Sequence, residues 1–259
     1  MTNKLQIALI QTELIWENPK ANRDNIQQIV ASITDKVDVI VLPEMFTTGF
    51  SMNASKLAET ISGESVTWMQ KLAANTQAAV MGSLIITEAD NYYNQLVFVY
   101  PNGKTQSYKK RHTFTLAGEN TVYTAGTERV IIDYKGWSLC PLVCYDLRFP
   151  VWARYNSDYD VLFYVANWPK TRITAWDALL QARAIENMSY CVGVNRVGID
   201  GKGHEYSGHS VVYNPLGETI STFVENEIGY RIVALNKDEV INTRNKFKFL
   251  NDRDSFILK

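Results

Sequence analysis

The chain has three cysteines in 259 residues, Cys140, Cys144 and Cys191, an odd number without the paired spacing of a disulfide framework or a zinc site. That scarcity excludes a cross-linked secreted scaffold, and a reducing, cytoplasmic setting is expected. Long apolar runs are missing too: no segment approaches the roughly 20 residues needed to span a bilayer. The opening MTNKLQIALIQTELIWENP carries one early lysine, an apolar run broken by Gln6 and Gln11, and no small-residue cleavage site, so no signal peptide is read. Charge of one sign is also absent. Twenty-six basic residues against 27 acidic ones, without a long run of either, leave no field to attract nucleic acid or an anionic membrane. Small molecules are the expected partners. No linker, repeat or low-complexity segment is detectable, so a single α/β domain over residues 1–259 is expected.

What is present suits a deep core: 46% of the residues are hydrophobic and 12% aromatic. Leu5 to Gln11 reads as a buried strand, Pro19 to Ser32 as a helix with Ile26, Ile29, Val30 and Ile33 on one face, and Val37 to Leu42 as an apolar strand ended by Pro43. Two strands apolar throughout, joined by a helix, are the pattern of a buried parallel sheet under helices. Ser62 to Ala74 gives the next helix, with Val66, Met69, Leu72 and Ala73 inward. AVMGSLII and NQLVFVY are strands, and Pro101-Asn102-Gly103-Lys104 turns the chain back through TQSYKK, making the sheet mixed. ERVIIDYKGWSLC forms another hairpin and DVLFYVAN a strand. Ile173 to Met188 is a helix with Ala175, Leu179, Ala182 and Ile185 at helical spacing, followed by the strand YCVGVN, a hairpin around Pro215-Leu216-Gly217, the strand GYRIVALN and a mixed polar tail. Two sheets covered by helices are expected.

The stretch WSLCPLVCYDLRFPVW is an apolar run that breaks at Cys144 into a polar turn. A sharp strand-to-helix turn lifts a side chain out of the sheet and leaves main-chain N–H groups free to face a developing anion. A cysteine there is either a nucleophile or, like most free cysteines, a small buried hydrophobe. Glu44 directly follows the Val37 to Leu42 strand, at the carboxyl edge where open α/β sheets bind ligands; its bland alternative is a solvated loop acid or helix cap. Lys109-Lys110-Arg111-His112, taken alone, is an ordinary basic cluster. MFTTGFSMN is suited to lining a pocket, and TFTLAGENTVYTAG is a long irregular stretch containing Glu119, the kind of loop that often carries function.

Set together, VLPEMF around Glu44, YKKRHTF around Lys110 and LVCYDLRFP around Cys144 resemble, in order and separation, the Glu-Lys-Cys signatures of the nitrilase, or carbon–nitrogen hydrolase, superfamily. NWP (167–169), QARAIEN (181–187), VNR (194–196) and NPLGE (214–218) also look like segments of that family, so the likeness covers nearly the whole chain. The resemblance implies an α-β-β-α sandwich, a homodimer or larger homo-oligomer, no cofactor and no metal. It implies Glu44 as general base, Lys110 as cationic stabiliser, Cys144 as nucleophile and Glu119 as a second acid. An amide is a poor electrophile, and such a set can activate a thiol, hold a tetrahedral oxyanion with help from the Tyr145 N–H, and protonate departing ammonia. Lys110 is expected to offset the charge of the two acids beside the thiol.

Tyr145 stands where true nitrilases usually have tryptophan. CYDLRFP and the TTGFSM loop look most like the amidase branch that includes the ω-amidases, which hydrolyse the terminal amide of dicarboxylic acid monoamides such as 2-oxoglutaramate and 2-oxosuccinamate. Such a substrate needs a cation for its far carboxylate, and Arg148 is the nearest candidate, the alternative being a structural salt bridge with Asp146 or a helix carboxylate. Phe46, Tyr145, Phe114 and Trp168 are candidate pocket walls. The rival readings are an N-carbamoyl amide, aliphatic amide or nitrile hydrolase of the same superfamily, a cysteine–histidine hydrolase using His112, His204 or His209, a metal site at His204 and His209, and a non-catalytic binding protein that keeps the fold.

Overall fold

The structure, a computed structural model, describes residues 3–156 and 159–258. In β1 (Lys4–Gln11) side chains alternate between two buried faces, Leu5, Ile7 and Leu9 on one and Ala8 and Ile10 on the other. α1 (Pro19–Ala31) starts at Asn18, whose Oδ1 accepts the Ala21 N–H at 3.2 Å, with Pro19 at the first helical position. β2 (Val39–Val41) runs parallel to β1. α2 (Ala54–Leu57), α3 (Glu64–Thr76), β3 (Ala79–Glu88), β4 (Asn91–Val99) and β5 (Thr105–Lys109) complete the first half. After α4 (Glu119–Val122) come β6 (Ile132–Tyr134), β7 (Trp137–Val143), α5 (Pro150–Ala153), β8 (Val161–Ala166), α6 (Ile173–Asn187) and β9 (Tyr190–Asn195). The chain ends with β10 (Val197–Ile199), β11 (Glu205–Ser207), β12 (Val211–Tyr213), β13 (Thr219–Thr222), β14 (Gly229–Asn236) and α7 (Lys237–Phe247).

Two six-stranded mixed sheets result, ordered β14-β1-β2-β3-β4-β5 and β13-β12-β9-β8-β7-β6, with β10 and β11 pairing separately. Their inner faces share one buried cluster, in which Leu5, Ile7, Val39 and Met81 of the first sheet join Leu139, Phe163 and Val192 of the second. On the outer face of the first sheet, Ala8, Ile40 and Val80 pack under Ile26 and Val30 of α1 and Val66, Met69 and Leu72 of α3. Truncating Met69 to alanine there would cost ~2–5 kcal/mol. α6 covers the second sheet through Trp176, Leu180 and Ala184, which completes the expected α-β-β-α sandwich as a single domain. Among the described residues no helix is long and apolar enough to cross a membrane.

The face of α6 is rotated from the one its apolar spacing suggests. Ile185 is 51% exposed, while Trp176, Leu180, Arg183, Ala184 and Asn187 are buried. Both inward polar residues find partners: Arg183 Nη2 donates to the Leu147 carbonyl at 2.7 Å, although its Nε has none, and Asn187 Oδ1 accepts the Tyr155 N–H at 2.8 Å. The mixed polar tail includes a helix. α7 is marked by its cap, Asn236 Oδ1 accepting the Asp238 N–H at 3.1 Å, and by acids in its first turn and bases in its last, rather than by an apolar stripe.

Candidate active site

Glu44 lies three residues past the end of β2, Lys110 one past β5 and Cys144 one past β7, so the same strand edges deliver all three. Cys144 adopts φ +44°, a left-handed conformation uncommon outside glycine, and opens a 3₁₀ turn through Arg148. The expected sharp turn is therefore present. Glu44, Lys110 and Glu119 are each at most 1% exposed. Lys110 Nζ donates to Glu44 Oε1 at 2.9 Å and to both oxygens of Glu119 at 3.0 and 2.9 Å. Charges this deeply buried persist only when paired and hydrogen-bonded, and here every oxygen has a partner.

Two asparagines finish the cluster. Asn94 Nδ2 donates to Glu44 Oε1 at 2.7 Å and to Glu119 Oε1 at 3.1 Å, while its Oδ1 accepts from Ser83 Oγ at 2.8 Å. The Asn167 N–H donates to Glu44 Oε2 at 2.8 Å, its Nδ2 to the Glu44 carbonyl at 2.6 Å, and its own carbonyl lies 4.0 Å from Cys144 Sγ. Glu119 Oε2 accepts the Phe114 N–H at 2.5 Å. Asn94 was not singled out from the sequence, where it is one of three amide side chains, with Asn91 and Gln95, in β4 and nothing marks it apart.

Burial works hardest against the Lys110 ammonium, but Glu119, Glu44 and the Cys144 sulfur together outweigh it and hold its pKa above the ordinary lysine value. Burial, then Glu44, push the Cys144 thiol well above its usual range; Lys110 pulls it back only in part. Burial also raises Glu119, against the pull of Lys110.

Cys144 opens into a cavity of about 180 Å³, lined also by Phe50, Phe114, Tyr145, Arg148, Asn167, Trp168, Arg172 and Tyr206. Of the anticipated walls, Phe114, Tyr145 and Trp168 are there, with Phe114 and Tyr145 ring centroids 4.8 Å apart. Phe46 is not. Its N–H donates to the Ser83 carbonyl at 3.2 Å, and its fully buried ring packs over Gly82 and against Trp68 in the core beneath α3; Phe50 of the same loop takes the cavity position. Arg148 is exposed at the rim, its guanidinium 4.9 Å from the Trp168 ring, and it forms no salt bridge with Asp146. Asp146 instead serves Tyr108, His112 and Val143. His112 is committed to Asp146 and stacked on Phe149, and His209 is paired with Asp177 at 3.0 Å, while His204 is exposed at the cavity rim. Among the described residues no cluster of three or more His, Cys, Asp or Glu is placed to hold a metal ion.

Two facing mixed sheets with helices outside form the nitrilase-superfamily sandwich. The model of the carbon-nitrogen hydrolase family matches residues 6–245, and the chain belongs to that family. It is an amide-hydrolysing enzyme, which sets aside the reading of a non-catalytic protein. The chain is 44% identical over 256 residues to "Omega-amidase YafV" of Escherichia coli K12, covering 98% of each chain. It is 30% identical over 223 residues to "2-oxoglutaramate amidase" of Bacillus subtilis, covering 84% of this chain and 86% of that one. Among solved structures, XC1258 from Xanthomonas campestris, a CN-hydrolase superfamily protein with an arsenic adduct in its active site, superposes with a TM-score of 0.96 at 37% identity over 100% of both chains.

Proposed function

We propose that the protein hydrolyses the terminal amide of small dicarboxylic acid monoamides of the 2-oxoglutaramate or 2-oxosuccinamate type, releasing ammonia through a thioester on Cys144. The observation that carries this reading is the buried Glu44–Lys110–Glu119 cluster placed against a thiol at the floor of a small cavity whose rim carries arginine. The likeness to an ω-amidase over 98% of both chains, and to a 2-oxoglutaramate amidase over 84% of this one, supports the substrate class. At about 180 Å³ the cavity is smaller than the roughly 300–1,000 Å³ of drug-sized sites, which favours a short linear substrate.

In the proposed reaction Glu44 takes the thiol proton as Sγ attacks the amide carbonyl. Lys110 and the Tyr145 N–H hold the oxyanion. Glu44 then returns the proton to nitrogen, ammonia leaves, and Glu44 activates water against the thioester. Glu119 and Asn94 keep Lys110 and Glu44 in register, and Arg148 receives the far carboxylate. The carbon–nitrogen hydrolase domain takes in residues 1–259, and the chain works in the cytoplasm as a homodimer or larger homo-oligomer. Exposed Phe256, Ile257 and Leu258, beside a groove lined by Val151 and Trp152, fit such an interface, which light scattering would test.

Ammonia release from 2-oxoglutaramate, succinamate, glutamine, an aliphatic amide, a carbamoyl amino acid and a nitrile tests the substrate class, and mass spectrometry after brief incubation tests the acyl adduct on Cys144. Glu44→Gln and Lys110→Met are each expected to cost at least ~100-fold in turnover. Undiminished turnover by Cys144→Ala would overturn the mechanism.

A further inference from the structure

Arg172 breaks a local rule. It occupies the N-cap of α6 without a side-chain cap bond, and a cation at that end of a 15-residue helix opposes the helix dipole. Two residues earlier in the same turn, Lys170 is neutralised outside by Glu225 at 2.8 Å. Arg172 is different: it is half-buried, lines the cavity that holds Cys144, and among the described residues makes no ion pair. Its guanidinium lies 5.3 Å from the Phe114 ring, and its carbonyl accepts the Trp168 indole N–H at 2.8 Å. Trp168 in turn carries Arg148 over its ring, so one indole joins the two arginines. Among the described residues, no aspartate or glutamate lines this cavity.

We propose that Arg172 is a specificity-determining residue that clamps the substrate's far carboxylate together with Arg148, and that the pair rejects substrates bearing an α-ammonium group. The inference rests on the proposed amidase reading and adds a second, less exposed arm to it. A guanidinium fork can grip a carboxylate bidentately, and Arg172, more withdrawn from water than Arg148, is screened less. An α-ammonium beside the carboxylate would face two cations with no acid to receive it, whereas an α-oxo group or a plain methylene meets no such repulsion.

The test compares kcat/KM for 2-oxoglutaramate, glutamine and a neutral aliphatic amide in the wild-type enzyme and in Arg172→Met, Arg172→Lys and Arg172→Glu, with active sites counted by acylation of Cys144. Arg172→Met is expected to lower the ratio of 2-oxoglutaramate to neutral amide at least ~10-fold, Arg172→Lys to recover part of it, and Arg172→Glu to narrow the gap between 2-oxoglutaramate and glutamine. Unmoved ratios in correctly folded, acylatable variants would overturn the clamp while leaving the amidase reading intact. A wild-type enzyme that releases ammonia from none of the three would overturn the amidase reading itself.

Discussion

One oxygen of Asp146, Oδ1, accepts the main-chain N–H of His112 at 3.0 Å and lies 2.8 Å from the ring Nδ1 of the same residue. Its other oxygen accepts the Val143 N–H at 3.0 Å and the Tyr108 hydroxyl at 2.8 Å. Val143 precedes Cys144 and His112 follows Lys110 by two, so a buried carboxylate ties the turn carrying the thiol to the strand end carrying the ammonium. Each oxygen takes one main-chain N–H, which cannot invert to become an acceptor. An asparagine amide would therefore set a donor against a donor on whichever side it turned. Asp146→Asn is expected to lower kcat at least ~10-fold with a smaller change in KM, and to destabilise the fold by ~1–3 kcal/mol in thermal or urea unfolding. An unchanged kcat would show that the tie does not position the thiol.

The charges around Cys144 make a prediction whose sign differs between variants. Glu44 and Glu119 raise the thiol pKa and Lys110 lowers it. Neutralising an acid should bring the pKa down; removing the ammonium should drive it up. Titrating thiolate by its ultraviolet absorbance, against Cys144→Ser as background for Cys140 and Cys191, is expected to shift downward in Glu44→Gln and Glu119→Gln and upward in Lys110→Met. Turnover should fall in all three. A Glu44→Gln enzyme with more thiolate but less activity would separate the acid's proposed work as proton carrier from its effect on ionisation.

Much of this arrangement is legible in the chain. The alternation of β1 and the helical spacing of Val66, Met69, Leu72 and Ala73 state their own burial, and the breaks after apolar strands mark Glu44 and Cys144. Polar burial is where the reading falters. Arg183 and Asn187 turn inward, where the Leu147 carbonyl and the Tyr155 N–H are their partners, and no hydrophobic pattern records such partners. Phe46 and Phe50 lie four apart on one loop, and which of them reaches the cavity depends on the turn at Met45, with its φ of +43°. Arg172 carries a signal only in hindsight, as a cation at the start of a long helix.

Asn94 offers a test of how closely the acids are balanced. Its amide nitrogen touches Glu44 and Glu119 at once, so Asn94→Asp would place a third carboxylate in a cluster with a single ammonium. Like charges at that range cannot all ionise, and one group must retain a proton. The acid limb of the kcat/KM profile is expected to move to higher pH, with kcat at neutral pH reduced ~10-fold or more. Asn94→Ala, which removes the donor without adding charge, should lower kcat while moving the limb less. Coincident profiles for wild type and Asn94→Asp would rule out the bridging role.

Gly126 shows how tightly the strand end beneath Lys110 is held. A β-carbon there would stand 2.2 Å from the Lys109 carbonyl oxygen and 2.8 Å from its Cβ, and the Gly126 N–H donates to the Lys110 carbonyl at 2.8 Å. Main chain, unlike the end of a flexible side chain, cannot step aside without moving Lys110. Gly126→Ala is expected to destabilise the protein by ~1–3 kcal/mol, the usual scale of overpacking, and to lower kcat as the ammonium shifts relative to Glu44 and the thiol. Gly103 is the matched control: it has φ +82° and nothing within 4 Å of the added carbon, so Gly103→Ala pays only in backbone conformation, at about 1 kcal/mol. Thermal unfolding with steady-state kinetics on both variants distinguishes the two, because strain alone leaves kcat where it was and displacement of Lys110 does not.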